Sequence, residues 1–460
     1  MSLSLTFLGG AGTVTGSKHL LSMGENGSMK ILIDCGLFQG AKELRTMNWQ
    51  PLAVDARTIE AVILTHAHLD HTGYLPLLVK QGFRGPIYCS EPTAEIAKLV
   101  LLDTAKIQEE DAEHANRVGY SRHKPALPLY DTTDALAAFS LFETLAPDQW
   151  HPILSKTAKV RLTNSGHILG STFVEIQTEG KLFVFSGDLG RENPITLKPR
   201  VNPREADYLI IESTYGDRCH PQEHPLETLA RLIHETIHRG GQVLIPAFAV
   251  GRTQEVLHLI AILKTTHRIP DVPVYLDSPM ADKVTEVFDR FASWHRLSSP
   301  DLKRLSATFR HVPSLNESTA IMQSGKPAII MAGSGMLTGG RILRHLEARL
   351  PDEKNTVILT GFQAAGTLGR FLKEGVEEAK IYGKYVPVRA RIAEISSLSA
   401  HADQREILNW ISGFSARPPK RIFIVHGETN ASEGLRVRIT DRFNIAPHIA
   451  KLGETIELRD

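Results

Sequence analysis

Four potential metal ligands lie within six residues, directly after an apolar run: His66, His68, Asp70 and His71. The run at 61–64 predicts a buried strand, so these side chains are expected in a loop at a strand end. From such a loop all four can point into one pocket. Imidazole is a common ligand of Zn and Fe, and a carboxylate completes a mixed site. Three imidazoles and a carboxylate packed this closely are hard to explain without a metal, so the segment predicts a metal centre.

Three further ligand candidates follow apolar runs elsewhere in the chain. They are His167 in NSGHILGS, Asp188 in FSGDLG and His426 in IVHGE. Taken alone, His167 or His426 is better explained as a side chain that caps a loop or forms a hydrogen bond in the core. Next to the first motif, each becomes a candidate ligand of the same centre. Glycines beside Asp188 and His426 would let the backbone approach a metal closely.

The order of predicted elements indicates one domain interrupted by another. Short strands and tight turns occupy the first part of the chain, whereas strands alternate with longer helices after Pro203. Such alternation is typical of a largely parallel α/β sheet. After about Arg391, His residues again occur at the ends of short apolar runs, as in the first part of the chain. We therefore expect a first domain formed by residues 1–207 and 393–460, with residues 208–392 inserted in it.

Composition excludes several classes of protein. The 460 residues contain 52 Lys and Arg against 51 Asp and Glu, so the charge of +1 argues against an obvious polybasic binder of nucleic acid or membrane. Three cysteines are too few for a disulfide framework and fit a reducing compartment. No apolar run approaches the ~18 residues of a membrane span, and the N-terminus lacks the features of a signal peptide. The sequence therefore predicts a soluble, cytoplasmic protein without a membrane partner.

Taken together, the motifs resemble a known family. HAHLDH, the GH at His167, the SGD at Asp188 and the late HG at His426 resemble the metallo-β-lactamase superfamily. IESTYG with Glu212, LSAHAD with His401 and VHGE resemble its β-CASP branch, which contains RNA-processing endonucleases of the cleavage-and-polyadenylation type. The resemblance extends over essentially the whole chain, with no departure at a motif position. It implies an α/β fold: an αββα sandwich interrupted by an inserted α/β domain with a largely parallel sheet.

The resemblance also implies a division of the ligands between two zinc ions per chain. Asp34, at the end of MKILIDCG, would orient the metal loop from behind. The sequence leaves Mn or Fe open in place of Zn. The first ion would be held by His66, His68 and His167, the second by Asp70, His71 and His426, and Asp188 would bridge both.

His401 and Glu212 are predicted to complete the catalytic set with Asp70 and Asp188. Cleavage of a phosphodiester expels an alkoxide that needs a proton near neutral pH. A carboxylate on one imidazole nitrogen raises the pKa of that imidazole and orients the other nitrogen. In the family the corresponding pair acts in this way, which makes His401 the general acid and Glu212 the residue that orients it. The structural alternative is that both residues simply begin or cap helices.

Three glycine-rich turns between a predicted strand and a predicted helix suggest contacts to phosphate. They lie at 249–255, which includes Arg252, at 331–341 and at 361–370. Free backbone N–H groups at such turns can bind phosphate, although most turns of this kind are ordinary α/β geometry. The candidate phosphate ligands are Ser334, Gly335, Thr338, Arg341, Thr367 and Arg370.

The leading hypothesis from sequence is a zinc-dependent ribonuclease that cuts single-stranded RNA, mainly at internal bonds. The His-containing VHGE and the HAD motif resemble the RNA-cleaving members of the branch more than the DNA-repair members. A 5′-exonuclease activity, activity on DNA and a homodimeric state remain open. Two alternatives stand beside this hypothesis: a small-molecule metallo-hydrolase that acts on a thioester, lactone or cyclic phosphodiester, and a non-catalytic RNA-binding scaffold.

Overall fold

The structure is a computed structural model that describes residues 2–119 and 123–458. Its strands, in chain order, are β1 (Ser4–Gly9), β2 (Lys18–Met23), β3 (Met29–Ile33), β4 (Ala61–Ile63), β5 (Ile87–Cys89), β6 (Phe142–Thr144), β7 (His151–Ile153), β8 (Ala158–Asn164), β9 (Thr172–Thr178), β10 (Lys181–Phe185), β11 (Tyr208–Glu212), β12 (Val243–Pro246), β13 (Val274–Asp277), β14 (Arg310–His311), β15 (Ile329–Ala332), β16 (Thr356–Leu359), β17 (Glu378–Ile381), β18 (Lys384–Pro387), β19 (Arg391–Glu394), β20 (Arg421–Val425), β21 (His448–Ile449) and β22 (Thr455–Glu457).

The α-helices of the same residues are α1 (Lys42–Met47), α2 (Leu69–Thr72), α3 (Leu75–Lys80), α4 (Glu91–Val118), α5 (Thr132–Phe139), α6 (Pro225–His238), α7 (Arg252–Thr265), α8 (Pro279–Arg290), α9 (Ser299–Thr308), α10 (Leu315–Gln323), α11 (Ile342–Arg349), α12 (Leu368–Lys373), α13 (Gln404–Ile411) and α14 (Thr429–Phe443). None of the described helices is both long and apolar enough to cross a membrane.

The chain divides into two compact units. Unit 1 contains residues 1–194, 199–219 and 401–460, and unit 2 contains residues 195–198 and 220–400. The changeovers lie about ten residues later than the predicted boundaries at 207/208 and 392/393. The reason is strand pairing: β11 pairs with β10 and β20 in unit 1, whereas β19 pairs with β16 in unit 2. Glu212, at the end of β11, therefore belongs to unit 1 and not to the inserted domain.

Unit 1 is a sandwich of two mixed sheets. Among the described residues each sheet has seven strands, in the orders β22-β1-β2-β3-β4-β5-β6 and β21-β20-β11-β10-β9-β8-β7. Side chains alternate across a strand, so Ile31 and Ile33 face the other sheet while Leu32 faces the helices. The core between the sheets draws on both of them, including Leu5, Phe7, Leu21, Val160, Ile176, Phe183, Phe185 and Phe423.

Helices cover the outer faces of the sandwich. Leu75, Leu78 and Leu101 of α3 and α4 pack with Leu32 and Val62 of the first sheet. On the second sheet, α13 and α14 pack onto Ile211 and Ile424 through apolar side chains that include Ile407, Trp410, Leu435 and Ile439. Each fully buried Leu or Ile contributes about 1.5–3 kcal/mol of transfer free energy. The layers follow the order α, β, β, α, so the predicted sandwich is confirmed.

Unit 2 is built on a parallel sheet. Its described strands have the order β14-β13-β15-β12-β16-β19, and every pair in this sheet is parallel. Parallel strands need crossover connections, which helices between them provide. One apolar cluster joins Leu244 and Val357 of the strands to Ile342 and Leu346 of α11. A separate antiparallel hairpin, β17-β18, lies between β16 and β19 in sequence. The prediction of an α/β unit with a largely parallel sheet is confirmed.

Candidate metal centre

The predicted ligands of unit 1 lie in loops that leave the carboxyl ends of strands. The segment 65–71 follows β4, and His167 lies in the loop between β8 and β9. Asp188 follows β10, and His426 directly follows β20. In the second sheet β8, β10 and β20 run in one direction, so their loops meet at one edge. Side chains at the carboxyl edge of strands are well placed to build a site.

The first cluster comprises His66, His68, His167 and Asp188. His68 Nδ1 lies 3.0 Å from His66 Nε2 and 3.2 Å from His167 Nε2. Asp188 Oδ2 lies 3.4 Å from both His66 Nε2 and His167 Nε2. These four ligand atoms lie within 4.8 Å of one another. Three nitrogens and one oxygen therefore converge on a single point.

The second cluster comprises Asp70, His71 and His426, and it also meets Asp188. His71 Nε2 lies 3.3 Å from His426 Nε2 and 3.8 Å from Asp70 Oδ2. Asp70 Oδ2 is 3.4 Å from His426 Nε2. Asp188 Oδ1 is 3.3 Å from His71 Nε2, so the two oxygens of one carboxylate face the two clusters.

Both clusters fit divalent cations. Ligands at the Zn–N distance of about 2.0–2.1 Å in a tetrahedron are separated by about 3.3–3.4 Å. The four ligand-atom distances given above for the first cluster are 3.0–3.4 Å, close to that separation. Asp188 Oδ1 is buried and has no hydrogen-bond partner among the described residues, although such an atom is costly unless something compensates it. A second cation would compensate it.

Burial keeps the imidazoles of the first cluster neutral. Loss of hydration lowers the pKa of His66 to about 3 and that of His68 to about 4, and it holds the pKa of His167 well below its ordinary value. Only an unprotonated nitrogen can bind a metal. The first cluster is therefore ready to bind a cation at neutral pH without first losing protons.

A layer of hydrogen bonds behind the ligands sets their orientation. Asp34 Oδ2 accepts from His71 Nδ1 at 2.8 Å, which directs Nε2 into the cluster. The backbone N–H of Thr65 donates to Asp34 Oδ1 at 2.8 Å, and the Thr65 hydroxyl lies 3.0 Å from His66 Nδ1. On the opposite side, Thr214 Oγ1 lies 3.2 Å from His426 Nδ1.

Two of these residues have strained backbones. Asp34 has φ of 59° and His426 has φ of 48°, in the left-handed region that residues with a Cβ seldom adopt. Strain of this kind costs on the order of 1–3 kcal/mol and persists where the surroundings require it. Here it turns each side chain at a strand end towards the second cluster.

His401 and Glu212 form a pair beside the first cluster. His401 Nδ1 lies 3.1 Å from Glu212 Oε2, and the backbone N–H of Leu189 donates to Glu212 Oε1 at 2.6 Å. His401 Nε2 points towards the centre, 3.9 Å from Asp188 Oδ2. The side chain of His401 is 15% exposed, more than those of Glu212 or Asp188, so a substrate can reach it. Burial acts to lower the pKa of His401, but the carboxylates of Glu212 and Asp188 outweigh it and raise that pKa to about 9.

Several residues near the centre were not singled out from the sequence. Lys18 is buried in β2, and its Nζ donates to the carbonyl of Gly36 at 2.6 Å. Burial lowers the pKa of Lys18 to about 8. The bond ties β2 to the turn after Asp34, where a Cβ on Gly36 would overlap the carbonyl of Asp70. The signal in the sequence was a lysine at the start of the strand KHLLSM.

Ser17 and His19 lie next to the second cluster. They border a cavity of about 10 Å³, roughly one water molecule, which His71 and His426 also line. Ser17 Oγ and His19 Nδ1 are buried and have no hydrogen-bond partner among the described residues. Nothing in GSKHLL distinguished these two from ordinary strand residues.

The predicted phosphate ligands of unit 2 make contacts within the protein. Arg341 donates from one guanidinium nitrogen to Asp277 Oδ1 and to the carbonyl of Val312, both at 2.7 Å. Gly335 leaves space for the ring of Phe248, which a Cβ would approach to 2.5 Å. Ser334 and Thr338 lie 3.1 Å apart through their hydroxyls and close their own turn.

The turn before α12 shows the same pattern. Thr367 caps that helix: its hydroxyl accepts from the N–H of Arg370 at 3.2 Å and donates to the carbonyl of Ala364 at 2.7 Å. Arg370 forms an ion pair with Glu374 at 2.6 Å, and Arg252 forms one with Glu255. These contacts give each residue a structural role, and phosphate binding by them stays a prediction from the sequence.

The comparison with known families agrees with this geometry. The model described as a metallo-beta-lactamase superfamily domain matches residues 20–192, and the Beta-Casp domain matches residues 253–372. A third model, the Zn-dependent metallo-hydrolase RNA specificity domain, matches residues 385–450. The matches follow the chain in the order expected for an interrupted metallo-hydrolase fold.

Known relatives are similar over nearly the whole chain. Ribonuclease TTHA0252 of Thermus thermophilus is 36% identical over 91% of this chain and 92% of its own length. From Methanocaldococcus jannaschii, the RNase J-like protein is 31% identical over 93% of this chain and 94% of its own length. Transcription termination factor FttA of that organism is 33% identical, and the match covers 93% of this chain and 67% of the factor.

A solved structure shares the fold. The crystal structure of a protein of unknown function from Enterococcus faecalis superimposes with a TM-score of 0.53 at 15% identity, over 100% of both chains. At this identity the likeness concerns the fold alone. With the family models and the relatives above, it leads to one conclusion: this chain belongs to the β-CASP branch of the metallo-β-lactamase superfamily.

Proposed function

We propose that this chain is a metal-dependent ribonuclease that hydrolyses phosphodiester bonds of single-stranded RNA, mainly at internal positions. The observation that carries the proposal is Asp188: its two oxygens face two ligand clusters, and the His401–Glu212 pair lies beside it. This arrangement supplies both a nucleophile site and a proton donor. The names of the relatives, ribonuclease and RNase J-like, support RNA as the substrate.

The residues divide the work of binding the cations. His66, His68 and His167 would hold the first ion, and Asp70, His71 and His426 would hold the second, with Asp188 available to both. When bound, two divalent cations activate water and neutralise charge on a phosphate. Five imidazoles favour Zn over Mg or Ca, because imidazole is a borderline ligand and hard cations prefer oxygen. We therefore propose two Zn ions per chain, with Mn or Fe as the alternatives that metal analysis would detect.

His401 supplies the proton that the leaving oxygen needs. Glu212 accepts from Nδ1 of His401, which leaves Nε2 as the donor facing the centre. The same carboxylate stabilises the protonated imidazole, so the donor stays charged at neutral pH. Asp34 and Thr214 would not contact the metals themselves. Their hydrogen bonds hold His71 and His426 in the orientation that metal binding requires.

The test uses RNA without ends. The purified protein is incubated with a circular single-stranded RNA and with the same RNA in linear form, while its metal content is measured by mass spectrometry. We expect cleavage of the circle and about two zinc ions per chain. If the linear RNA is degraded but the circle stays intact, the protein is an exonuclease and does not cut at internal bonds. Intact RNA of both forms, with hydrolysis of a thioester, lactone or cyclic phosphodiester, would overturn the proposal in favour of a small-molecule hydrolase.

A further inference from the structure

The last two long helices of unit 1 form a groove on the surface. α13 and α14 pack side by side on the second sheet, and between them lies a groove of about 320 Å³, here called the arginine groove. Arg438 lies one turn before Asp441 and Arg442 on α14, as residues three and four apart do on one helix face. The groove is lined by Gln404, Arg405 and Leu408 of α13 and by Arg438, Asp441 and Arg442 of α14.

The groove carries an excess of positive charge. Its lining contains three guanidinium groups and one carboxylate. Arg405 and Arg438 are exposed, and the structure shows no hydrogen bond or ion pair for either among the residues that it describes. Arg442 is held in place by Asn409 Oδ1 at 3.2 Å and Ser412 Oγ at 3.0 Å. The groove therefore presents one positioned and two available guanidinium groups to an anion.

Other exposed arginines of the same region are paired. Arg436, on α14 itself, donates to Glu433 at 2.7 Å, and Arg218 donates to Asp217 at 2.8 Å. Pairing of this kind lowers the attraction to an external phosphate. The contrast separates the arginine groove from a generally basic surface, which the overall charge of +1 also argues against.

The groove begins beside the proposed proton donor. His401 lies three residues before Gln404, the first residue of α13. The backbone N–H of Gln404 donates to the carbonyl of Arg218 at 3.0 Å, and its side chain donates to the carbonyl of Gly216 at 2.6 Å. These bonds anchor the start of α13 to the loop that follows Glu212. Arg405, in the first turn of α13, is therefore the arginine of the groove that lies nearest to His401 in sequence.

We propose that the arginine groove binds phosphates of the RNA fragment that carries the leaving oxygen. This inference rests on the proposed function, because His401 marks the side of the scissile bond on which that fragment emerges. Guanidinium groups bind phosphate oxygens through paired N–H donors, and the apolar surface at Leu408 can pack against a sugar or base. The groove then holds the leaving fragment and sets how long a substrate must be on that side.

The first experiment measures binding in full-length protein. Fluorescence anisotropy of a labelled single-stranded RNA is recorded against salt in the His401→Ala background, which slows cleavage. The double variant Arg405→Gln/Arg438→Gln is compared with Arg436→Gln, the loss of one charge on α14 outside the groove. Loss of two phosphate contacts should reduce the slope of log affinity against log salt by about 1.4. It should weaken binding about 25-fold at 0.1 M salt, with the difference disappearing towards 1 M. The control should stay within about twofold.

The second experiment locates the bound fragment. In the active protein, KM is measured for RNAs lengthened on only one side of a fixed cleavage position. Lengthening on the leaving side should lower KM for the unsubstituted protein and for Arg436→Gln, but not for the double variant. Metal content and the thermal midpoint, measured for every variant, identify a variant that has not folded.

Each contrary result has a distinct meaning. An unchanged salt slope in the double variant, or an equal loss in Arg436→Gln, overturns the arginine groove as a binding site. If the double variant instead loses the KM gain that comes from lengthening RNA on the other side of the scissile bond, the arginine groove does not bind the leaving fragment. If the unsubstituted protein binds RNA but does not cut it, the proposed function fails, and with it the assignment to a leaving fragment. The anisotropy result would still decide whether the groove binds RNA.

Discussion

The carboxyl-end loops of unit 1 and the glycine-rich turns of unit 2 look alike in sequence but differ in how their polar atoms are satisfied. In unit 1 the ligand atoms converge to 3.0–3.8 Å, and Asp188 Oδ1 has no described hydrogen-bond partner. In unit 2 Arg341, Thr367 and Arg370 bond to nearby protein groups. Polar atoms that converge without hydrogen-bond partners indicate a site for a ligand. Polar atoms that bond to nearby protein groups indicate a structural role.

The largest effect should follow from Asp188→Asn. An amide cannot offer two anionic oxygens to two cations, so both clusters should bind metal more weakly. We expect most of the zinc to be lost and RNA cleavage to fall roughly a thousandfold or more. Metal analysis and single-turnover cleavage measure the two effects. Asp271→Asn, an exposed carboxylate of unit 2, is the control. Full zinc occupancy in Asp188→Asn would contradict the shared-ligand geometry.

His401→Ala should separate metal binding from chemistry. The variant should keep its metal, because all seven ligand side chains remain, and cleavage should slow by about 10²–10⁴. Loss of zinc in this variant would make His401 a ligand and not a proton donor.

Glu212→Gln should change the pH dependence of cleavage. The Glu212 carboxylate raises the pKa of His401, so its removal lowers that pKa. A general acid works only while protonated, so the decline of kcat on the alkaline side should begin at a lower pH in the variant. A pH–rate profile of both proteins measures the shift. An alkaline limb that stays in place would show that His401 is not the group that titrates there.

Asp277→Asn should act on stability in unit 2. Asp277 is buried and accepts from Arg341 and from His345 Nε2, both at 2.7 Å. Removing its charge leaves both partners without an anion, so we expect a loss of about 3 kcal/mol in the free energy of unfolding. Denaturant unfolding measures it. RNA cleavage per folded molecule should stay within a few-fold, in contrast to Asp188→Asn.

The same network predicts a stability that falls on acidification. Burial lowers the pKa of His345, so in acid the unfolded chain takes up a proton that the folded chain does not. Burial opposes ionisation of Asp277, but bonds from His345, Ser318 and Arg341 lower its pKa. The stability from both groups is therefore present near neutral pH, declines below about pH 6.5 and falls again below about pH 4. Asp277→Asn should flatten the lower part of this curve.

The smallest effect should come from Arg370→Gln. The substitution removes a partly exposed ion pair with Glu374, worth about 0–1 kcal/mol. We expect RNA affinity to stay within about twofold in the anisotropy assay. A clear loss of affinity, larger than that of Arg436→Gln, would support the prediction that Arg370 binds phosphate.

Motif spacing predicted much of the candidate site because the ligands follow strand ends. His66, His68, Asp70 and His71 are adjacent in the chain, so local structure alone brings them together. The domain boundaries were less accessible: β11 reads as the first strand of the alternating pattern, yet it pairs with β10 and β20. Pairing between strands far apart in sequence leaves no local signal. The same reason explains why Thr214, which bonds to His426 across 212 positions, was not singled out.

By itself, the sequence determined the class of fold, the chemical type of the candidate ligand atoms and the family, because these depend on residue type and periodicity. Only the tertiary structure decided which atoms have partners. In the folded chain Arg341 bonds to Asp277, and Asp188 Oδ1 faces the second cluster. Arg405 and Arg438 line one groove. The physical reason is that a polar side chain's role depends on what surrounds it after folding. Those surroundings come from segments that the chain brings together over hundreds of residues.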